Sequence, residues 1–167
     1  DAAARERLAG GLADPVPAVV DADALILLAP RVLAERSAAT VATPHEGELM
    51  ALERAFDLDG TGSKPARALA LAEASGMVVV AKGPDTVIAA PDGRLACAPR
   101  ASSWLSTAGT GDVLAGCVAS RLAAGTEAFA AACEGVWLHG EAARHASPAF
   151  TAGQLGQMVP AALAACL

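Results

Sequence analysis

The sequence predicts an α/β domain built on a mainly parallel sheet, and three observations carry that prediction. Ala18-Val19-Val20 and Met77 to Ala81 are short apolar runs bounded by turn or charged residues, as in strands buried on both faces. Helical segments lie between and after them. The chain has 167 residues, 54% of them apolar, enough for one core without disulfide or metal staples.

The elements follow in order. A helix-like segment opens the chain, and Ala18–Val20 is the first strand. Pro44 keeps Thr43 extended, so a strand ends at Thr43 and a helix carrying His45, Glu46 and Glu48 begins. Residues 57–65, rich in Gly and polar residues, form the loosest connection, a surface loop between helices. Arg67 to Ser75 is helical in composition, with Gly76 as its C-cap. Met77–Ala81 is the next strand. Gly83-Pro84-Asp85 turns the chain into the strand Thr86–Ala90, and Pro91-Asp92-Gly93 turns it again into a hairpin partner, Arg94 to Ala98. Three helices complete the chain: Asp112 to Ala124, stopped by Gly125; Glu127 to His145; and Gln154 to Cys166, capped by Thr151. No repeat or second domain is legible. About four strands make a small sheet for a doubly wound fold, which predicts an uncovered edge or face that a partner or a larger domain would cover.

Composition excludes several classes. Twelve basic against 18 acidic residues give a net charge of −6, which argues against a general nucleic-acid binder but not against an anionic ligand held by backbone amides. The apolar share excludes intrinsic disorder. No apolar run reaches the ~18 residues of a transmembrane helix. The opening Asp1 to Arg7 lacks the form of a secretion signal. Cys97, Cys117, Cys133 and Cys166 are widely spread, so neither a zinc site nor a disulfide framework is expected, which fits the cytoplasm.

Four strings carry chemistry. In Thr107 to Gly116, glycines 109 and 111 sit where a helix begins, so the amides of Gly109, Thr110 and Gly111, aided by the helix dipole, form an anion hole suited to phosphate. Asp112 beside it is either a general base on a hydroxyl attacking phosphorus or a helix-capping carboxylate. Lys82-Gly83-Pro84-Asp85-Thr86 leaves a buried strand at the carboxyl edge of the sheet, where open α/β sheets bind ligands; a solvated hairpin corner is the plainer alternative. Thr43 to Glu48 places His45 and Glu48 three apart on one helical face, able to touch a ligand or hydrated Mg²⁺ together. Asp21 and Asp23 follow the first strand and either cap the next helix or line a polar cleft. His139 and His145 are read as packing or capping residues, and the loop Pro99 to Ser106 around Trp104 as a cover for a ligand.

Taken together and in this order, Val-Asp-Ala-Asp-Ala-Leu, Thr-Pro-His-x-Gly-Glu, Lys-Gly-x-x-Thr-Val-Ile and Gly-Thr-Gly-Asp-Val-Leu-Ala-Gly resemble the ADP- or ATP-dependent NAD(P)H-hydrate dehydratases. Leu138-His139-Gly140 and Thr151 to Val159 are similar to that family's C-terminal helices. The resemblance implies a ribokinase-like three-layer sandwich of which residues 1–167 are one C-terminal portion, the family's N-terminal part having no counterpart here. It implies repair of NADHX and NADPHX by phosphorylation of the ring hydroxyl and loss of phosphate, with ADP or ATP as co-substrate and Mg²⁺. It further implies that Asp112 is the base and a substrate contact, and that Gly109, Thr110 and Gly111 hold the migrating phosphate, with Gly111 also near the nucleotide. By the same resemblance, Lys82, Gly83, Pro84, Asp85 and Thr86 hold the adenine nucleotide, His45 touches substrate, and Glu48 organises Mg²⁺ and water. The loop at Arg100 to Trp104 departs from the family's usual Asn- and Gly-containing stretch. Two other readings stand beside this one: a vitamin-precursor kinase of the same fold, and a catalytically silent nucleotide-binding fragment. Self-association is expected from an exposed apolar edge.

Overall fold

A computed structural model describes residues 2–146 and 148–166. Five strands form one sheet in the order β1-β2-β3-β4-β5, with β1 at Ala18–Val20, β2 at Thr40–Ala42, β3 at Val78–Ala81, β4 at Val87–Ala89 and β5 at Leu95–Cys97. The pairs β1/β2 and β2/β3 are parallel, and β3/β4 and β4/β5 antiparallel, so four of the five strands point the same way. The expected hairpin is present. The additional strand is β2, whose end at Thr43 the sequence marked but whose three residues are too few to show a period.

Strict alternation divides the core. Val41, Val78, Val80 and Ile88 face one side of the sheet, and Ala42, Val79, Ala81, Val87 and Ala89 the other. On the second side lie α1 (Ala2–Ala13), α2 (Asp23–Leu27), α4 (Glu46–Ala55) and α5 (Lys64–Ser75), contributing Leu12, Leu25, Leu49, Leu52 and Leu71. The short α3 (Pro30–Ala34) packs there through Val32 and Leu33. On the first side α6 (Thr110–Ala123) and α7 (Ala128–His145) contribute Leu114, Val118, Leu122, Ala131 and Ala132. The last helix, α8 (Ala152–Ala164), buries Leu155 and Ala162 against Cys117, Leu138 and Ala142. Both faces of the sheet are therefore covered, which corrects the expectation of a bare face. What remains open are the edges, β1 with Ala18 and Val19 half-buried, and β5 with Leu95 and Cys97 exposed.

Local chemistry explains the helix limits. Gly76 (φ 71°) caps α5 by donating its N–H to Ala72 O. Thr151 and Gln154 form a reciprocal capping box on α8. Glu127 caps α7 by accepting from the amides of Phe129 and Ala130. The α5 helix starts at Lys64 and not Arg67, because Ser63 accepts the Ala66 N–H and Pro65 suits a first helical turn. At the middle of α7, Gly135 lies against α6 so closely that an added Cβ would stand 2.6 Å from Val118 Cγ2 and 2.8 Å from Val118 N.

Candidate active site

Parallel register brings the ends of β1, β2 and β3 to one edge, since Val20 aligns with Ala42 and Ala42 with Val79. The next residues on these strands are Asp21, Thr43 and, three beyond Val79, Lys82. Thr43 donates its N–H to Val20 O, and Lys82 N donates to Pro44 O, so the three connections are stitched together. Lys82 Nζ then lies 2.7 Å from Asp21 Oδ1 and 3.9 Å from Glu48 Oε2. Burial opposes the charge on Asp21, but hydrogen bonds from Lys82 and Thr43, the ammonium's charge and the Ala22 N–H outweigh it and hold the carboxyl below its ordinary range. Asp21 is thus a partner of Lys82 and no helix cap; α2 has no side-chain cap at its start.

His45 is the N-cap of α4. Its Nδ1 accepts the Glu48 N–H at 3.2 Å, while Glu48 Oε2 accepts the His45 N–H at 2.7 Å. This capping box fixes both side chains at the rim of the edge, with Glu48 buried and the His45 ring 63% exposed. The acceptor role of Nδ1 places the proton of a neutral His45 ring on Nε2.

Lys82 to Thr86 forms a tight turn into β4. The Thr86 hydroxyl donates to Gly83 O at 2.8 Å and accepts from Gly83 N at 3.1 Å. Lys64, from the first turn of α5, reaches the same turn and donates to Lys82 O (3.2 Å) and Asp85 Oδ1 (2.6 Å). That bond holds the Asp85 carboxyl below its ordinary range. Sequence reading missed Lys64, which sits 18 residues before Lys82 at the end of a loop that looked featureless.

The Gly109 turn has φ 84°, and α6 begins at Thr110. Thr110 is buried and heavily bonded. Its N–H goes to Thr107 O (3.2 Å), and its hydroxyl lies 2.6 Å from Leu105 O and 2.7 Å from Thr107 O. The expected trio of amides is therefore not all open: the Thr110 amide is engaged internally, while at the start of α6 the amides of Gly109, Gly111 and Asp112 have no acceptor among the described residues. Asp112 is exposed, with Oδ2 3.9 Å from the position of a Cβ on Gly109. A Cβ on Gly111 would lie 3.5 Å from Lys82 Nζ and 3.6 Å from Asp21 Oδ2. The helix start, the lysine and the strand-end carboxylates thus meet at one place.

A cavity of about 820 Å³ opens beside that place. His45, Lys82, Gly83, Pro84, Thr86 and Gly111 line it, and the loop from Ala98 to Thr107 forms much of its wall. Trp104 itself is exposed outside the lining. Its volume falls within the range of small-molecule sites. His139 also lines it. Buried on α7, this histidine has Nε2 2.9 Å from Thr110 O. Burial pushes its imidazole below the usual range; the Thr110 carbonyl opposes this and the Lys82 ammonium adds to it. The packing role expected of His139 is accompanied by a bond that no sequence pattern announced. His145 lies 3.5 Å from Glu141 Oε1, one turn back on α7, and the C-cap of the helix is Ala146, whose N–H goes to Ala142 O.

Residues 4–163 match the model of the NAD(P)H-hydrate dehydratase family. The chain belongs to this family. The ADP-dependent (S)-NAD(P)H-hydrate dehydratase of Neisseria meningitidis is 38% identical over 153 residues, covering 87% of this chain and 52% of that protein. The bifunctional NAD(P)H-hydrate repair enzyme Nnr of Moorella thermoacetica is 40% identical over 152 residues, 87% of this chain and 29% of that protein. Among solved structures, the ADP/ATP-dependent NAD(P)H-hydrate dehydratase of Bacillus subtilis, co-crystallised with ATP/Mg²⁺, superposes with a TM-score of 0.77 at 28% identity, covering 92% of this chain and 56% of that one. A ribokinase-like protein of Enterococcus faecalis superposes at 0.78 with 22% identity, which agrees on the fold. The chain spans about half the length of the single-function family members it matches. Among the described residues no helix is long and apolar enough to cross a membrane.

Proposed function

We propose that this chain carries the nucleotide-binding and phosphoryl-transfer half of an NAD(P)H-hydrate dehydratase, acting in the cytoplasm on NADHX or NADPHX with ADP or ATP. The observation that carries the proposal is the meeting of three features at one sheet edge. These are the open amides at the start of α6, the exposed Asp112 next to them, and the Lys82–Asp21 pair facing Gly111. In this reading the turn from Lys82 to Thr86 seats the adenine nucleotide in the cavity, and His45 touches the hydrated dinucleotide.

Asp112 takes the proton of the ring hydroxyl as its oxygen attacks the terminal phosphorus. The bond from phosphorus to the departing nucleotide breaks, and the amides of Gly109, Gly111 and Asp112 hold the charge on the transferring group. Phosphate then leaves the ring with the C–O bonding pair. A proton is lost from the neighbouring ring carbon, which restores the dihydronicotinamide.

Mg²⁺ fits these residues as an ion carried by the nucleotide, because such ions need only one or two carboxylates besides phosphates and water. Glu48 Oε2 accepts the His45 amide and Oε1 lies 3.3 Å from His45 Nε2, and each oxygen keeps a lone pair that a water of the hydrated ion would use. When bound, Mg²⁺ would neutralise charge on the phosphates.

The test is Asp112→Asn in a protein comprising this chain and the further residues that the relatives carry. Loss of a general base predicts a fall of about 10²–10⁴ in NADH recovery, with ADP still raising the melting temperature. Full recovery in the variant would remove the base assignment. A phosphorylated product that accumulates without restored NADH absorbance would instead indicate a kinase.

A further inference from the structure

We infer that His139 is a positioning residue for the phosphate cradle: it tethers the peptide whose opposite end is the Gly111 amide. The Thr110 carbonyl and the Gly111 N–H belong to one planar trans peptide, so the two groups point in opposite directions. Nε2 of His139 lies 2.9 Å from that carbonyl. A carbonyl only accepts, so Nε2 carries a proton, and a neutral ring then has its lone pair on Nδ1. Gripping the carbonyl from α7 fixes the plane of the peptide and hence the line of the Gly111 N–H. Polarising the carbonyl also makes that N–H a better donor.

The rest of Thr110 supports this role. Its hydroxyl and amide are both tied to the loop before α6, through Leu105 O and Thr107 O. With the bond to His139, the residue is held from the loop on one side and from α7 on the other. A Cβ on Gly111 would stand 3.5 Å from Lys82 Nζ and 3.6 Å from Asp21 Oδ2, so the missing side chain leaves room beside that pair. The carbonyl that His139 meets is the peptide partner of one of the three open amides at the start of α6.

The inference rests on reading the start of α6 as the phosphoryl cradle, so the experiment separates the two. ADP and AMP affinities are measured by titration calorimetry for wild type, His139→Leu and His139→Gln, AMP lacking the terminal phosphate. Loss of one buried hydrogen bond predicts roughly tenfold weaker ADP binding in H139L, with AMP little changed. H139Q, whose amide can donate from a similar reach, recovers most of the loss. Equal ADP affinity in wild type and H139L, or an equal fall for ADP and AMP, overturns the inference alone. A wild type that binds neither nucleotide overturns the cradle reading and the inference with it. Nitrogen NMR of the wild-type ring gives a check that needs no variant: a proton on Nε2 is expected, and a proton on Nδ1 alone would overturn the tether.

Discussion

Substituting Gly135→Ala tests how the two helices behind the site are held. The new Cβ would stand 2.6 Å from Val118 Cγ2, 2.8 Å from Val118 N and 2.9 Å from Val118 Cα. Two of those neighbours are backbone atoms of α6, so no rotamer change relieves the contact. Ordinary carbon contacts begin near 3.5 Å, and α6 and α7 must therefore separate by about half an ångström. Overpacking of this kind costs about 1–3 kcal/mol. Alanine returns roughly 0.5–1 kcal/mol over glycine within a helix. The net expectation is a loss of about 1–2 kcal/mol, or roughly 2–8 °C in melting temperature for a chain of this size. Thermal and urea unfolding followed by circular dichroism measure it. Gly116→Ala is the matched control, since a Cβ at this glycine of α6 meets nothing within 4 Å. It should gain what Gly135→Ala cannot, about 0.5–1 kcal/mol. His139 lies one turn beyond Gly135 on the same face of α7, so the forced separation should also loosen its bond to Thr110 and weaken ADP binding. A G135A protein that melts at or above wild type would refute the close-packing account.

Three further outcomes are expected. Lys82→Met leaves Asp21 half-buried without its cation, so stability falls near neutral pH. Because the folded Asp21 carboxyl titrates below its unfolded value, the lysine's contribution is full above the ordinary carboxylate range and fades as pH falls through the folded value. Urea unfolding at pH 7 and pH 3 should therefore show a smaller gap between wild type and K82M in acid; an unchanged gap would count against the pair. Glu127→Ala removes the cap of α7, with an expected loss of about 1 kcal/mol. Hydrogen bonds from Arg94, then the amides of Phe129 and Ala130, hold the Glu127 carboxyl at about 2 against the cost of burial. The E127A deficit should thus be constant above pH 5 and shrink as pH falls from there toward 2, as read by melting temperature. Among the thiols, Cys97 and Cys166 are exposed, while burial pushes buried Cys117 up to about 11. Native protein should then react with a disulfide reagent quickly at Cys97 and Cys166 and at Cys117 only on unfolding, which peptide mass mapping resolves.

The sequence by itself determined the α/β class and marked the candidate site residues along the chain. Apolar runs such as Met77 to Ala81 are legible because strands buried on both faces are mostly apolar, whereas β2 carries the buried Thr40. Gly76, Gly125 and Thr151 are legible because caps depend on their immediate neighbours. The four strings sufficed to place the chain in its family, and they marked Asp112, His45 and Lys82 because each stands beside a turn or strand end. Only the tertiary structure decided what those residues meet. Parallel register brings Lys82 to Asp21, 61 positions apart, and α5 delivers Lys64 to the Gly83 turn. Helix packing carries His139 to the Thr110 carbonyl, 29 positions away, and the loop before α6 engages the Thr110 amide through Thr107 O. Local patterns record which backbone a residue prefers; the partner of a charge or an imidazole is set by how separate elements dock, and no spacing along the chain encodes that contact.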